Sequence, residues 1–589
     1  MTFFKSFVSS CLGALVAMIL FVVLLIVFIS ALSSVDETPL EFGDNSVLKL
    51  DMDAPIVETE KEEPFSGIPF LGGSAPRPMG LAQLRQAIEH AKDDEKIKGI
   101  YITITQPMAG YTEIEEIREA LLDFRKGGKW VIVFSEGLSE SAYYLASAAD
   151  KIYLHPEGDV EFNGLAVDIT FFKRLFDKLE VKPEVFRVGE FKSAVEPFIL
   201  EKMSDANRLQ LTEMINSIYD QVVTRVSESR SIPKANLKEI SDKMLVRNAQ
   251  QAVEYKLIDS LAYDDQVQHT IRQRLGLGSK DKISFIKYSK YKKTFSTYSE
   301  SKNEIAVIVA EGTILPGKAN PGQDMIGSES FNEEMRKARE NDKIKAVVLR
   351  INSPGGSSLA SDAMWREITL TTKVKPVIAS MSDYAASGGY YMAMGCDTIV
   401  AQPHTITGSI GVFSVLYDAS GLLNNKLGIT SEELKTGEIG QLITIDRPLT
   451  ETEKSIWQKR TEEVYETFTT KAAEGRKMSV ENIKKVASGR VWTGTQAKER
   501  GLVDIIGNFQ DAVKIAAAAA HVSDDYKVRF YPQYKPSFLE QMIAQYEDDA
   551  ETGALKEQLG AQYYLYQQWL HIKSYQGTQA RMPFEMRIQ

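Results

Sequence analysis

A serine flanked by glycines and a lysine set among apolar residues form the pair in this chain best suited to covalent chemistry. The serine is Ser409, in Gly408-Ser409-Ile410-Gly411. Glycines on either side let the backbone turn tightly and let a substrate approach the hydroxyl. The lysine is Lys192, in Gly189-Glu190-Phe191-Lys192-Ser193-Ala194, close to Pro197-Phe198. A lysine acts as a base only when neutral, so burial has to pull its pKa down. Taken singly, Gly-Ser-x-Gly is ordinarily a plain turn and such a lysine ordinarily a snorkelling cation.

An internal repeat joins the two residues. Lys96-Ile97-Lys98-Gly99-Ile100 aligns with Lys343-Ile344-Lys345-Ala346-Val347, an offset of 247 (343 − 96). The same offset pairs Pro107 with Pro354, Tyr143-Tyr144 with Tyr390-Tyr391, Asp150 with Asp397, Pro156 with Pro403 and Gly164 with Gly411. Residues 96–164 and 343–411 are therefore two diverged copies of one unit. Opposite Ser409 the first copy has Phe162; opposite Lys192, now at an offset of 248, the second copy has Gly440. Each copy has lost what the other keeps, which predicts one composite Ser/Lys site.

Asn352-Ser353-Pro354-Gly355-Gly356-Ser357 follows the apolar stretch 346–351. A Pro-Gly-Gly turn at a strand's end can aim backbone N–H groups at an oxyanion, and one such donor contributes about 3–4 kcal/mol to transition-state stabilisation. The first copy keeps Pro107 here but has Met108-Ala109 in place of the glycine pair, so the glycines travel with the serine. Two rivals stand beside this reading. Ser387, in Ala386-Ser387-Gly388-Gly389-Tyr390-Tyr391, opens an apolar helix and is the strongest competing nucleophile. His404, with Asp383 or Asp397, offers a triad, but five residues along an extended stretch and turn place His404 poorly for a bond to Ser409.

The elements that must hold these residues alternate. Strands are predicted over 47–50, 99–104 and 130–134, and helices over 81–92 and 112–124. The second copy repeats the order with strands 304–309, 346–351 and 377–380 and helices 331–340, 358–371 and 388–394. Longer helices, 210–228 and 453–474, follow each core. Strands alternating with helices of this length predict an α/β fold of βαβ units around parallel sheets.

With 589 residues the chain needs several domains. The divisions expected are 1–35 as a transmembrane signal anchor, 45–278 as the first repeat, 279–303 as a solvated connector, 304–535 as the second repeat and 536–589 as a tail. The connector carries seven lysines with no apolar alternation, and the tail has an aromatic-rich stretch over 557–569 that is expected to pack on a neighbour. Residues 7–32 contain no charge and are long enough to span a bilayer, beyond the usual core of a cleavable signal, although Ser30-Ala31-Leu32-Ser33 offers a small-residue cleavage site. Lys5 before the run, against Asp36, Glu37, Glu41 and Asp44 after it, orients the body outside the cytoplasm. A net charge of −11 without a basic stripe sets nucleic acid aside as a partner. Two cysteines, Cys11 in the apolar run and Cys396, and six scattered histidines give little footing for a disulfide or a metal.

Taken in order, Gly189 to Pro197, Pro354-Gly355-Gly356-Ser357, Ala386 to Tyr391 and Thr407-Gly408-Ser409-Ile410-Gly411-Val412 resemble the signal peptide peptidase A (protease IV) family in its long, two-repeat form. The resemblance runs from about residue 45 to 535 and extends to the N-terminal anchor; no pattern reaches the tail. It implies two tandem Clp-peptidase/crotonase-like domains, a bowl-shaped homotetramer, and a Ser/Lys-dyad serine endopeptidase without cofactor or metal. The implied substrates are signal peptides left in the membrane after preprotein cleavage, and the implied location is the bacterial inner membrane with the body in the periplasm. By position it makes Ser409 the nucleophile and Lys192 the general base. Ser431, with Thr430 beside it as an equal alternative, would orient the amine, and the N–H groups of Gly356 and Ser409 would hold the oxyanion. Two other classes share parts of this pattern: a crotonase-type acyl-CoA enzyme, disfavoured by the outward topology, and a non-catalytic membrane scaffold, disfavoured by retention of both Ser409 and Lys192.

Overall fold

The computed structural model describes residues 42–60, 78–295, 301–319, 325–532 and 577–582, with a few helical positions between 13 and 20. Apart from those few positions, the expected membrane anchor, its small-residue cleavage site and the aromatic stretch 557–569 lie outside the described residues. Among the described residues no helix is long and apolar enough to cross a membrane.

The repeat read from sequence is a repeat of topology. In the first unit six parallel strands run in the order Ser260–Leu261, Lys151–Leu154, Trp130–Ser135, Ile97–Thr103, Ser46–Asp51, Phe285–Lys287. In the second, Ile505–Ile506, Thr398–Ala401, Val377–Ala386, Ile344–Ser353, Glu304–Glu311 and Lys527–Tyr531 follow the same order, also in parallel. The central strands are mostly apolar, interrupted by few charges such as Lys98, Lys345 and Arg350, because helices cover both faces of each sheet. Two strands lie in segments expected to be a connector and a tail. Phe285–Lys287, inside the expected solvated connector, is an edge strand of the first sheet, and the neighbouring Tyr288 and Tyr291 are buried. Gly577–Arg581, in the expected tail, is a strand of the second unit.

Each unit then extends into a long helix. Asp205–Arg230 is capped by the Ser204 hydroxyl on Asn207 N–H, and Glu451–Arg476 by a Thr450/Glu453 capping box. The first buries Met214, Ile218, Val222 and Val226 along one stripe, each contributing about 1.5–3 kcal/mol of burial.

A third sheet ties the units together. Its order is Met325–Gly327, Thr313–Leu315, Gly355–Ser357, Gly577–Arg581, Val412–Asp418, Lys182–Val188. The last two strands come from different repeats and pair antiparallel over seven residues each, from Val412 opposite Val188 to Asp418 opposite Lys182. The cores merge as well, since Ala386, Ile406, Val491 and Met582 pack into the first unit's apolar cluster.

Candidate active site

The cross-repeat ladder ends where the chemistry begins. Val188 is four residues before Lys192, and its partner Val412 is three residues after Ser409. The lysine therefore leaves one strand directly beside the turn that carries the serine. Its stem passes so close to the 488–490 loop that a Cβ added at Gly489 would lie 2.6 Å from Lys192 Cβ; Gly489 also has φ +79°. Only glycine fits there.

Lys192 is fully buried, and its Nζ donates to Ser387 Oγ at 3.0 Å, to Ser409 Oγ at 3.0 Å and to Ser409 O at 3.1 Å. Three oxygen acceptors surround the amine and no carboxylate pairs with it among the described residues. Burial alone holds its pKa well below the ordinary lysine value. The structure thus brings together Lys192, Ser409 and the rival serine, Ser387.

The two serines are held differently. Ser387 joins the strand Val377–Ala386 to the helix Gly388–Ala393 with φ 54° and ψ −109°, a conformation that a residue with a side chain adopts only under constraint. Its N–H donates to Gly408 O at 2.8 Å. Beside it lies the Pro-Gly-Gly turn: a Cβ added at Gly355 (φ +98°) would lie 2.7 Å from Gly388 N and overlap Ala580 O. Ser409 has φ 49°. Its hydroxyl donates to Gly489 O at 3.3 Å and its N–H donates to Arg490 O at 2.7 Å. That backbone bond removes the Ser409 N–H as an oxyanion donor, correcting the expectation for it.

Gly356 lies in the strand Gly355–Ser357, opposite Ala580 and Ile314. Ser431 does not reach the amine: it is exposed in the loop after the helical turn Leu422–Leu427, and its hydroxyl bonds Asp446. Thr430 lies on the same exposed loop. The cause is local, since residues 429–441 pack against neither strand that carries the site and stay solvated.

His404 is fully buried, but against Tyr111 and Tyr144, and among the described residues neither ring nitrogen has a hydrogen-bond partner. Burial lowers its pKa to about 4, so it is neutral and does not contact either serine. Asp383 accepts from Thr112 N–H at 2.8 Å, and Asp397 accepts from Val377 N–H at 2.9 Å; both serve the backbone.

One positioning residue had no sequence signal. Gln210, on the long helix of the first unit, donates to Phe191 O at 3.1 Å and to Ser193 Oγ at 3.2 Å, and accepts from Val491 N–H at 3.3 Å. A single buried amide thus fastens the lysine loop to the segment that backs Ser409.

The peptidase family S49 model matches the chain twice, over residues 123–278 and 369–523, so that one match holds Lys192 and the other both serines. Protease 4 of Salmonella typhi is 36% identical over 526 residues, which cover 87% of this chain and 83% of that protein. The chain belongs to peptidase family S49. This S49 peptidase is also 35% identical over 466 residues to the chloroplastic serine protease SPPA of Arabidopsis thaliana, covering 78% of this chain and 68% of that one. Among solved structures, a point mutant of ClpP1 from Listeria monocytogenes matches 35% of this chain and 94% of its own, with 18% identity and a TM-score of 0.24. The S49 peptidase is a serine protease of α/β fold with two S49 regions.

Proposed function

We propose that this serine protease cleaves peptides with Ser387 as nucleophile, Lys192 as general base and Ser409 as the hydroxyl that orients the amine. The observation that carries the reading is the 3.0 Å bond from Lys192 Nζ to Ser387 Oγ inside a fully buried site. Ser387, rather than the expected Ser409, takes the nucleophile's place for two reasons. It stands on the constrained strand-to-helix turn next to Gly355 and Gly388, where an acyl oxygen can be received. Ser409 is fixed at its N–H and its hydroxyl by the 489–490 loop, which suits a fixed hydrogen-bond partner.

In this mechanism neutral Lys192 takes the Ser387 proton as Oγ attacks the substrate carbonyl carbon. The N–H groups of Gly388, which as the first helical amide lacks an intrahelical acceptor, and of Gly356 receive the oxyanion. The Lys192 ammonium then gives its proton to the departing amine as the C–N bond breaks, leaving an acyl-Ser387 ester. Water activated by the same amine hydrolyses the ester and restores the serine. No metal or cofactor is invoked at any step.

The substrates we assign are apolar peptides, with signal peptides left after preprotein cleavage as the principal class. Support comes from the uncharged run 7–32, which would hold the body at a membrane, and from the family resemblance. On this reading the protein is a single-pass component of the bacterial inner membrane with a periplasmic body, built from Clp-peptidase-like units and assembled as a homotetramer. The test is hydrolysis of a Leu/Ala-rich fluorogenic peptide by wild type, Ser387→Ala, Lys192→Ala and Ser409→Ala. Loss in the first two with residual activity in Ser409→Ala is expected; full activity of Lys192→Ala would overturn the dyad.

A further inference from the structure

The strand that leads into the Pro-Gly-Gly turn is gripped by a helix of the other repeat. Arg350 and Asn352, two apart, share one face of the strand Ile344–Ser353. Glu113 and Glu116, three apart, share one face of the helix Tyr111–Lys126. The faces meet as matched pairs. Arg350 bonds Glu116 at 3.0 Å, and Asn352 Nδ2 donates to Glu113 Oε1 at 3.3 Å. Arg350, Glu113 and Glu116 are all buried. The pairing runs one way only. At the offset of 247 the first copy has Thr103 and Thr105 in place of Arg350 and Asn352, and the second has Ala360 and Ala363 in place of Glu113 and Glu116.

Asn352 also stands at an irregular point of its sheet. Ile351 pairs with Met381 and Ser353 with Ala385, so over this step one strand advances two residues and its neighbour four. Bulges of this kind re-aim side chains beside active sites. Asn352 Oδ1 accepts from Tyr384 N–H at 3.3 Å and so spans the gap. Asp383, inside the bulge, turns to the first repeat and accepts from Thr112 N–H at 2.8 Å, where the helix dipole favours a carboxylate. A Cβ added at Gly110 would overlap that carboxylate, so the helix starts on a glycine. Glu113 closes the same helix end by accepting from Gly110 N–H at 3.1 Å. Ser387 lies three residues after Tyr384, and Gly356 four after Asn352. One carboxamide thus touches both strands just before each enters the site and fastens them to the first repeat.

We infer that Asn352 is a positioning residue of the protease: held by Glu113 of the first repeat, it sets the spacing between Ser387 and the Gly355-Gly356 turn. The inference rests on the reading of Ser387 as nucleophile. It gives the first repeat a second task besides supplying Lys192, since its helix sets the place where the oxyanion is received. A residue of this kind acts on the transition state more than on the bound peptide, so its loss lowers kcat and leaves KM unchanged.

The experiment is a polarity swap in the full chain. Asn352→Asp sets a carboxyl against the Glu113 carboxyl, and Glu113→Gln sets an amide against the Asn352 amide. The double variant restores one donor and one acceptor in reverse. For wild type, both single variants and the double, kcat and KM are measured with a fluorogenic peptide. The Ki of a peptide boronic acid is measured beside them, because an oxygen of its serine adduct takes the oxyanion's place. Each single variant should lower kcat by about 10–100-fold with KM unchanged, and raise Ki by the same factor. The double should return to within about threefold of wild type. Should Asn352→Asp fail to fold, Asn352→Ala, which adds no charge, reads the same loss. Single variants with wild-type kcat, a loss confined to KM, or a double no better than the product of the single losses would overturn the inference while leaving Ser387 standing. Each chain is also made with Ser387→Ala, and turnover that survives there would overturn the reading of Ser387 and the inference with it.

Discussion

Val188 of the first repeat and Val412 of the second are direct partners in one antiparallel ladder, 224 residues apart in sequence (412 − 188). Lys192 and the two hydroxyls it bonds therefore sit at the end of a hydrogen-bonded sheet rather than on two separately moving bodies. Neither repeat alone contains the site, and the complementary losses seen in sequence follow from that division.

Close approach of Lys192 to Gly489 makes one prediction. Gly489→Ala forces a methyl to within 2.6 Å of Lys192 Cβ at a backbone angle that suits only glycine. A displacement of about 1 Å in such a site costs about 10²-fold in rate. The kcat for a peptide substrate should fall by that order with the circular dichroism spectrum retained, while Gly501→Ala, at φ +74° where the added Cβ would meet only Met478 Sδ at 3.5 Å, should leave kcat unchanged.

The rate should rise with pH through the depressed pKa of Lys192 and then level off. Burial disfavours the ammonium, and only the neutral amine accepts the Ser387 proton. A pH profile of kcat/KM with a single ascending limb and a plateau below the ordinary lysine value checks this. Ser409→Ala should keep the shape of the profile but lower its plateau by about 10–100-fold, the contribution of one positioning group rather than of a nucleophile.

Lys192 also sets a pH dependence of stability. Between its folded pKa and its higher unfolded one, the unfolded state binds a proton that the folded state does not, so stability rises with pH across that window. Lys192→Met removes the linkage. The melting temperature of the variant minus that of wild type should therefore decrease steadily from pH 7 to pH 10 as the wild type gains.

Glu113 and Asp383, one from each repeat, form a buried acidic pair near the site. Burial first, and then mutual repulsion in the case of Glu113, raises both, with Asp383 pushed up to about 6. A carboxyl with a raised folded pKa makes stability fall as pH rises between its unfolded and folded values. Glu113→Gln should reduce that decline between pH 4 and pH 6, read as melting temperature against pH.

Much of this was legible in the sequence because βαβ units carry strong local signals. The strands 97–103, 130–135 and 344–353 are near-continuous apolar runs, and the landmark offset of 247 is reproduced by an identical strand order. The meeting of Lys192 with the second repeat was legible from complementary loss. The division of labour proposed for Ser387 and Ser409 was not, because both hydroxyls lie at 3.0 Å from the same amine and only their surroundings differ. Those surroundings, the Arg490 carbonyl on Ser409 N–H and the Gly355 turn beside Gly388, are long-range contacts without a local pattern. Phe285-Ile286-Lys287 was masked by the lysines around it. Gly577–Arg581 was masked because a strand paired on both sides can bury Gln579 and Arg581 and needs no apolar alternation.

The most direct test of the central claim is covalent: treat the protein with a serine-reactive fluorophosphonate and locate the adduct by peptide mass spectrometry. The account predicts modification of Ser387, abolished in Ser387→Ala, strongly slowed in Lys192→Ala and present in Ser409→Ala. An adduct on Ser409 that persists in Ser387→Ala would contradict it.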